Sequence, residues 1–165
     1  MNPKPASDSQ SQLVRWMDVL DANTAGRVHG GTVMKLCDEA GALAAIKHSR
    51  RRVVTAAMDR MAFRYPIWVG DLVTLSAMVN AAWRTSMEVG VRVEAENPFT
   101  GEVRHTNTAY LTMVALDGDG NPAPVPPLLL ADADAQRRMH GAELRRANRL
   151  AERELILYHR ERETV

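Results

Sequence analysis

Hydrophobic and polar positions change period several times along the chain. Residues 13–19 alternate imperfectly between apolar and polar side chains and predict a short first strand. The segment Asp21-Ala-Asn-Thr-Ala-Gly26 is rich in turn formers, and His29-Gly30-Gly31 then leads into a run of helical period. In that run Val33, Leu36, Cys37, Ala40, Leu43 and Ala44 follow i, i+3, i+4, i+7 spacing and share one face. The helix is predicted to end near His48, before the polar Ser49-Arg50-Arg51-Arg52. From Val53 the period becomes two, and strands are predicted over residues 53–63, 72–83, 86–96 and 103–116. The third is the cleanest: Met87, Val89, Val91 and Val93 point one way, while Glu88, Arg92 and Glu94 point the other.

Asp117-Gly-Asp-Gly120 closes the last strand, and the proline-rich residues 121–127 form a stiff connector that neither extends a ladder nor begins a helix. Residues 131–162 combine high helix propensity with dense charge, which predicts one helix or a pair, Gly141 being a weak point. Residues 1–12 are polar and rich in Pro and Ser, as in a disordered head. The chain thus divides into a head (1–12), a folded domain (13–128) and a charged helical tail (129–165). A strand, one long helix and four antiparallel strands predict an α+β fold with the sheet wrapped around the helix. Ala40, Gly41, Ala42, Ala44 and Ala45 suit that role, because small side chains admit strands close to the helix axis.

Composition narrows the partners. At 165 residues the chain fits one domain, and its formal charge of +1 carries no electrostatic signature of nucleic acid or anionic membrane. The single cysteine, Cys37, excludes an intramolecular disulfide and is consistent with a reducing compartment. No stretch is apolar over the ~18 residues of a membrane span, and the N-terminal residues lack the apolar core of a signal peptide. A cytoplasmic, soluble protein is expected.

The run from Ala22-Asn23 through Gly26, His29-Gly30-Gly31 and Asp38 to Ala42 resembles the hotdog acyl-CoA hydrolases, particularly the cytosolic or brain-type group. The likeness continues through Val54-Thr55-Ala56, residues 63–71, residues 84–89, Glu96-Asn97 with Thr100-Gly101, and Val125-Pro126-Pro127. The resemblance implies a hotdog fold, acyl-CoA substrates, no cofactor, and active sites shared between two hotdog units, commonly in trimers of dimers. It also implies that an Asn in the turn before the helix and an Asp within it carry catalysis; the matching residues are Asn23 and Asp38.

Thioester hydrolysis needs an activated water, donors for the developing oxyanion and a place for the acyl-CoA. Gly30 and Gly31 stand where the helix begins, so unpaired N–H groups and the helix dipole face a carbonyl oxygen there; a tightly packed turn is the alternative. Asp38 lies seven residues beyond Gly31, roughly 10 Å along the helix, too far to serve its own helix tip. If both act in one site, Asp38 must face the Gly31 end of another subunit's helix, which predicts an obligatory dimer. Otherwise Asp38 and Glu39 are an exposed acidic pair. The Asn23 amide both donates and accepts, so it suits a water or a thioester carbonyl, and equally a simple turn.

Thr55 and Ser86 are further candidates for positioning water or pantetheine. The CoA phosphates call for a basic rim, for which Arg50, Arg51, Arg52, Arg60, Arg64, Arg84 and Arg104 are available, Arg84 first because it opens a motif-bearing strand. Cys37 falls on the apolar face and reads as core, and His29, His48 and His105 have neither a triad framework nor metal-ligand spacing, although His29 is placed to shape the site entrance. Two other activities compete with hydrolysis: a hydratase or dehydratase, and a non-catalytic acyl-CoA-binding module.

Overall fold

A computed structural model describes residues 1–163. Its elements in chain order are β1 (Lys4–Pro5), β2 (Ser11–Trp16), α1 (Gly30–Ser49), β3 (Arg52–Met58), β4 (Leu72–Ala82), β5 (Ser86–Glu96), β6 (Val103–Leu116), β7 (Leu128–Leu129) and α2 (Ala133–Glu163). Five strands form an antiparallel sheet in the order β2-β4-β5-β6-β3, and β1 pairs with β7 in a separate two-stranded parallel ladder.

The period-two pattern sorts the sheet into faces. Val73, Leu75, Ala77 and Val79 of β4, Met87, Val89, Val91 and Val93 of β5, and Ala109, Leu111 and Met113 of β6 are buried together with Val33, Leu36, Cys37, Ala40 and Ala44 of α1. Each such Val or Leu contributes roughly 1.5–3 kcal/mol relative to exposure. The small α1 face has the expected purpose: at Gly41 an added Cβ would lie 3.2 Å from the Met113 Cε and 3.4 Å from Leu111 Cδ1, so helix and sheet are in close contact there. This is the hotdog arrangement, an antiparallel sheet curled around a central helix.

Several expectations change in detail. The first strand starts at Ser11 and stops at Trp16 rather than spanning 13–19. The head is ordered: Ala6 and Ser9 are buried in a short 3-10 turn, Ser9 Oγ accepts from Val79 N, and Lys4 Nζ donates to the His48 carbonyl. Its polar composition concealed this because the anchoring contacts are tertiary hydrogen bonds. β3 ends at Met58, five residues short of expectation, and its ladder to β6 shifts register between Thr55 and Ala57. The tail is one helix, continuous through Gly141, and a solvent-rich surface is what its charge implied.

Candidate active site

The turn before α1 is built by its own polar groups. Asn23 Oδ1 accepts from the N–H groups of Ala25 (2.9 Å) and Arg27 (3.2 Å). The turn reading of Asn23 is therefore realised, yet only its oxygen is used; its Nδ2 has no partner among the described residues and remains a donor. The buried Asp21 braces the same loop: its carboxylate takes Arg15 Nη2 at 2.8 Å, and its carbonyl accepts from His29 N at 2.7 Å.

At the α1 tip, His29 is the N-cap, and its Nδ1 accepts from Gly31 N at 3.1 Å. One expectation is corrected here: Gly31 does not present a vacant N–H, because the His29 cap has taken it. The Gly30 N–H has no backbone partner among the described residues, so that group is the tip's remaining donor. The Phe63 ring lies over Gly30, where an added Cβ would sit 3.5 Å from Cζ. Phe63 escaped the sequence reading because it was assigned to a strand; the nearby Pro66 was the available signal that the ladder had already ended.

Midway along α1, half-buried Asp38 faces β3, and Thr55 donates its hydroxyl to Asp38 Oδ1 in a short hydrogen bond. The same hydroxyl lies 3.3 Å from Met113 Sδ. Thr55 immediately precedes Ala56, the extra residue of the β3 bulge, a feature that re-aims side chains beside active sites. Thr55, expected only to hold water or pantetheine, thus has a specific partner. Within one chain the structure brings Asp38 and Thr55 together and keeps them about two helical turns from the Asn23, His29 and Gly30 tip.

The remaining candidates lie outside both clusters. Arg84 is exposed in the β4–β5 turn, where its carbonyl accepts from Val125 N, and Ser86 begins β5 opposite Val114, one position along from the Met87, Met113 and Thr55 row. Arg104 is committed to the buried Asp71 at 3.0 Å, and Arg60 to Glu152 at 3.3 Å. Cys37 is fully buried, and burial pushes its thiol pKa up to about 12, so it remains a protonated core residue. Buried His48 is held below the ordinary histidine range, foremost by desolvation.

Residues 25–101 match the thioesterase superfamily family model. The chain is 36% identical over 148 residues to the acyl-CoA thioester hydrolase YkhA of Bacillus subtilis, covering 88% of this chain and 86% of that one. It is 34% identical to the cytosolic acyl coenzyme A thioester hydrolase of Rattus norvegicus over 84% of this chain and 37% of that longer one. Among solved structures it is similar to an apo-hexameric acyl-CoA thioesterase (38% identity, TM-score 0.88, covering 92% of this chain and 97% of the other). It is also similar to the acyl-CoA hydrolase of Staphylococcus aureus in complex with butyryl coenzyme A, coenzyme A and coenzyme A disulfide (34%, TM-score 0.82, 94% and 97%). That enzyme has also been solved with an aspartate, an asparagine or a threonine changed to alanine; the asparagine precedes the aspartate by 15 residues and the threonine follows it by 17. With its curled sheet, its central helix and these relatives, the chain belongs to the thioesterase superfamily as a hotdog-fold acyl-CoA hydrolase.

Proposed function

We propose that the enzyme hydrolyses fatty acyl-CoA to free fatty acid and CoA in sites shared between two subunits, with Asp38 of one subunit and Asn23 and Gly30 of the other around the thioester. The observation that carries this is the division of polar groups: two donors at the helix tip, and a carboxylate held by Thr55 about two turns away. Asn23, Asp38 and Thr55 are separated by the same 15 and 17 residues as the positions altered in the Staphylococcus aureus enzyme, which supports taking them as one catalytic set.

The chemistry follows from the free atoms. Thr55 occupies Asp38 Oδ1, leaving Oδ2 to take a proton from water as the water oxygen attacks the thioester carbon. The carbonyl oxygen becomes an oxyanion facing Asn23 Nδ2 and the Gly30 N–H, aided by the positive end of the α1 dipole. Collapse breaks the C–S bond, and the proton held on Asp38 passes to the departing CoA sulfur. No metal or cofactor enters this sequence.

Assembly is favoured by the surface of the isolated chain. β3 is an edge strand with one side unpaired, and Met34 and Ile46 of α1, Val54 of β3, and Phe63 are exposed. Antiparallel pairing of two β3 strands also sets two α1 helices antiparallel, moving each tip toward its neighbour's midpoint. The hexameric relative supports a higher assembly of such dimers, and the cytosolic relative supports a cytoplasmic location. Leftover apolar surface along this seam suits an acyl chain.

Co-expression of differently tagged Asn23→Ala and Asp38→Ala chains tests the shared site. Each variant alone is inactive in an acyl-CoA panel, and the purified mixed dimer recovers activity because one of its two sites keeps both residues. Mixed dimers as inactive as the parents would overturn the arrangement.

A further inference from the structure

A cleft of about 670 Å³ lies on the sheet face opposite α1 and therefore opposite Asp38. Its floor is polar, with Ser76 and Asn80 of β4, Gly90 and Arg92 of β5, and Thr108 and Tyr110 of β6; Arg137, Arg138 and Arg145 descend from α2 to form its roof. That volume falls in the range of small-molecule sites.

The arginines are not equivalently paired. Arg145 is bound to the fully buried Glu88, with Nη2 2.6 Å from Oε1, and stacks over Tyr110 at 3.6 Å, so it fixes the roof to the floor. Arg92 pairs with Glu94 at 2.9 Å. Arg137 and Arg138 share one exposed carboxylate, Asp134, at 3.2 and 3.8 Å. The Arg138 Nε is buried with no hydrogen-bond partner, an orphaned donor on a charged group at the wall of a polar cleft. Leaving such a donor unmet is unfavourable, and an anion supplies what it lacks. Arg92, Arg137, Arg138 and Arg145 line the cleft and no carboxylate does, so its charged lining is cationic.

We propose that this cleft is a second ligand site, separate from the hydrolytic one, which binds a phosphate-bearing anion of nucleotide size through Arg138, Arg137 and Arg92. Two sources share that chemistry: a free nucleotide, and the nucleotide portion of CoA. The inference does not depend on the assignment of Asp38 and Asn23, because its readout is binding.

Calorimetric titration of the intact protein with pyrophosphate, ADP and CoA separates the cases. Saturable binding of pyrophosphate and ADP is expected, weakening as salt rises, and roughly tenfold weaker in Arg138→Gln at an unchanged melting temperature. Arg153→Gln, on the same helix but outside the cleft, retains full binding. ADP heat that persists under saturating CoA assigns the cleft to a free nucleotide, whereas its loss, with CoA binding also weakened by Arg138→Gln, assigns it to CoA. Absence of pyrophosphate and ADP binding to the wild type, or equal binding by Arg138→Gln, would overturn the site.

Discussion

The Thr55 hydroxyl donates to the Asp38 carboxylate, and in the proposed mechanism Asp38 acts as the base while Thr55 aims it. Asp38→Asn keeps the shape but removes the basic oxygen, and kcat is expected to fall by about 10²–10⁴ with little change in melting temperature. Thr55→Val keeps the β-branched volume and removes the donor; kcat is expected to fall about tenfold while KM moves less, since the carboxylate persists but is free to rotate. Steady-state kinetics over an acyl-CoA series checks both, and a Thr55→Val enzyme as fast as wild type would remove Thr55 from the mechanism. Asp38 and Asn23 were picked out by the resemblance to the hotdog hydrolases; helix position and turn chemistry alone leave each a plain structural reading, an exposed acidic pair and a turn closer. The His29 cap was not legible: Ser, Thr, Asp and Asn dominate that position, and an imidazole cap is visible only once the ring's orientation is known.

At the scale of elements, α2 is fastened to the sheet by Glu88, which is fully buried, and Arg145, whose side chain is 27% exposed. Removing the arginine strands a carboxylate in the interior, while removing the charge of Glu88 leaves a guanidinium able to reach water. Arg145→Met is therefore expected to destabilise by about 3–5 kcal/mol and Glu88→Gln by less, in urea unfolding curves. The reverse order would mean that the pair does not anchor the helix. α1 ends on Arg50 at φ 56°, a left-handed conformation that costs a side-chain-bearing residue roughly 1–2 kcal/mol, so Arg50→Gly is expected to raise stability by up to about 1 kcal/mol. β5 and β6 were readable to the residue because a period of two runs through most of each strand where one sheet face packs on α1, Glu88 being buried on the opposite face under α2. β3 was not, since its extra residue Ala56 is fixed by pairing with β6, and no local pattern records a partner strand.

For the molecule as a whole, acidity bears on stability through His48. Its ring is buried, with Nε2 2.9 Å from the Pro126 carbonyl and Nδ1 unpartnered, and desolvation holds the folded-state pKa down against a smaller upward pull from that carbonyl. The unfolded chain then takes up a proton near pH 6.5 that the folded chain resists, so stability declines as pH falls below about 6.5, by at most about 1.4 kcal/mol per pH unit. His48→Gln is expected to flatten that slope in thermal melts between pH 5 and 8; an identical slope would assign the acid sensitivity elsewhere. The chain's sole sulfhydryl, Cys37, has a parallel consequence at the bench. Shut inside the packed helix face and protonated up to about pH 12, it is inert to Ellman's reagent while the structure is closed. Colour released during turnover therefore counts CoA alone, and in denaturant the same reagent gains one equivalent per chain, a stopwatch for the opening of the interior.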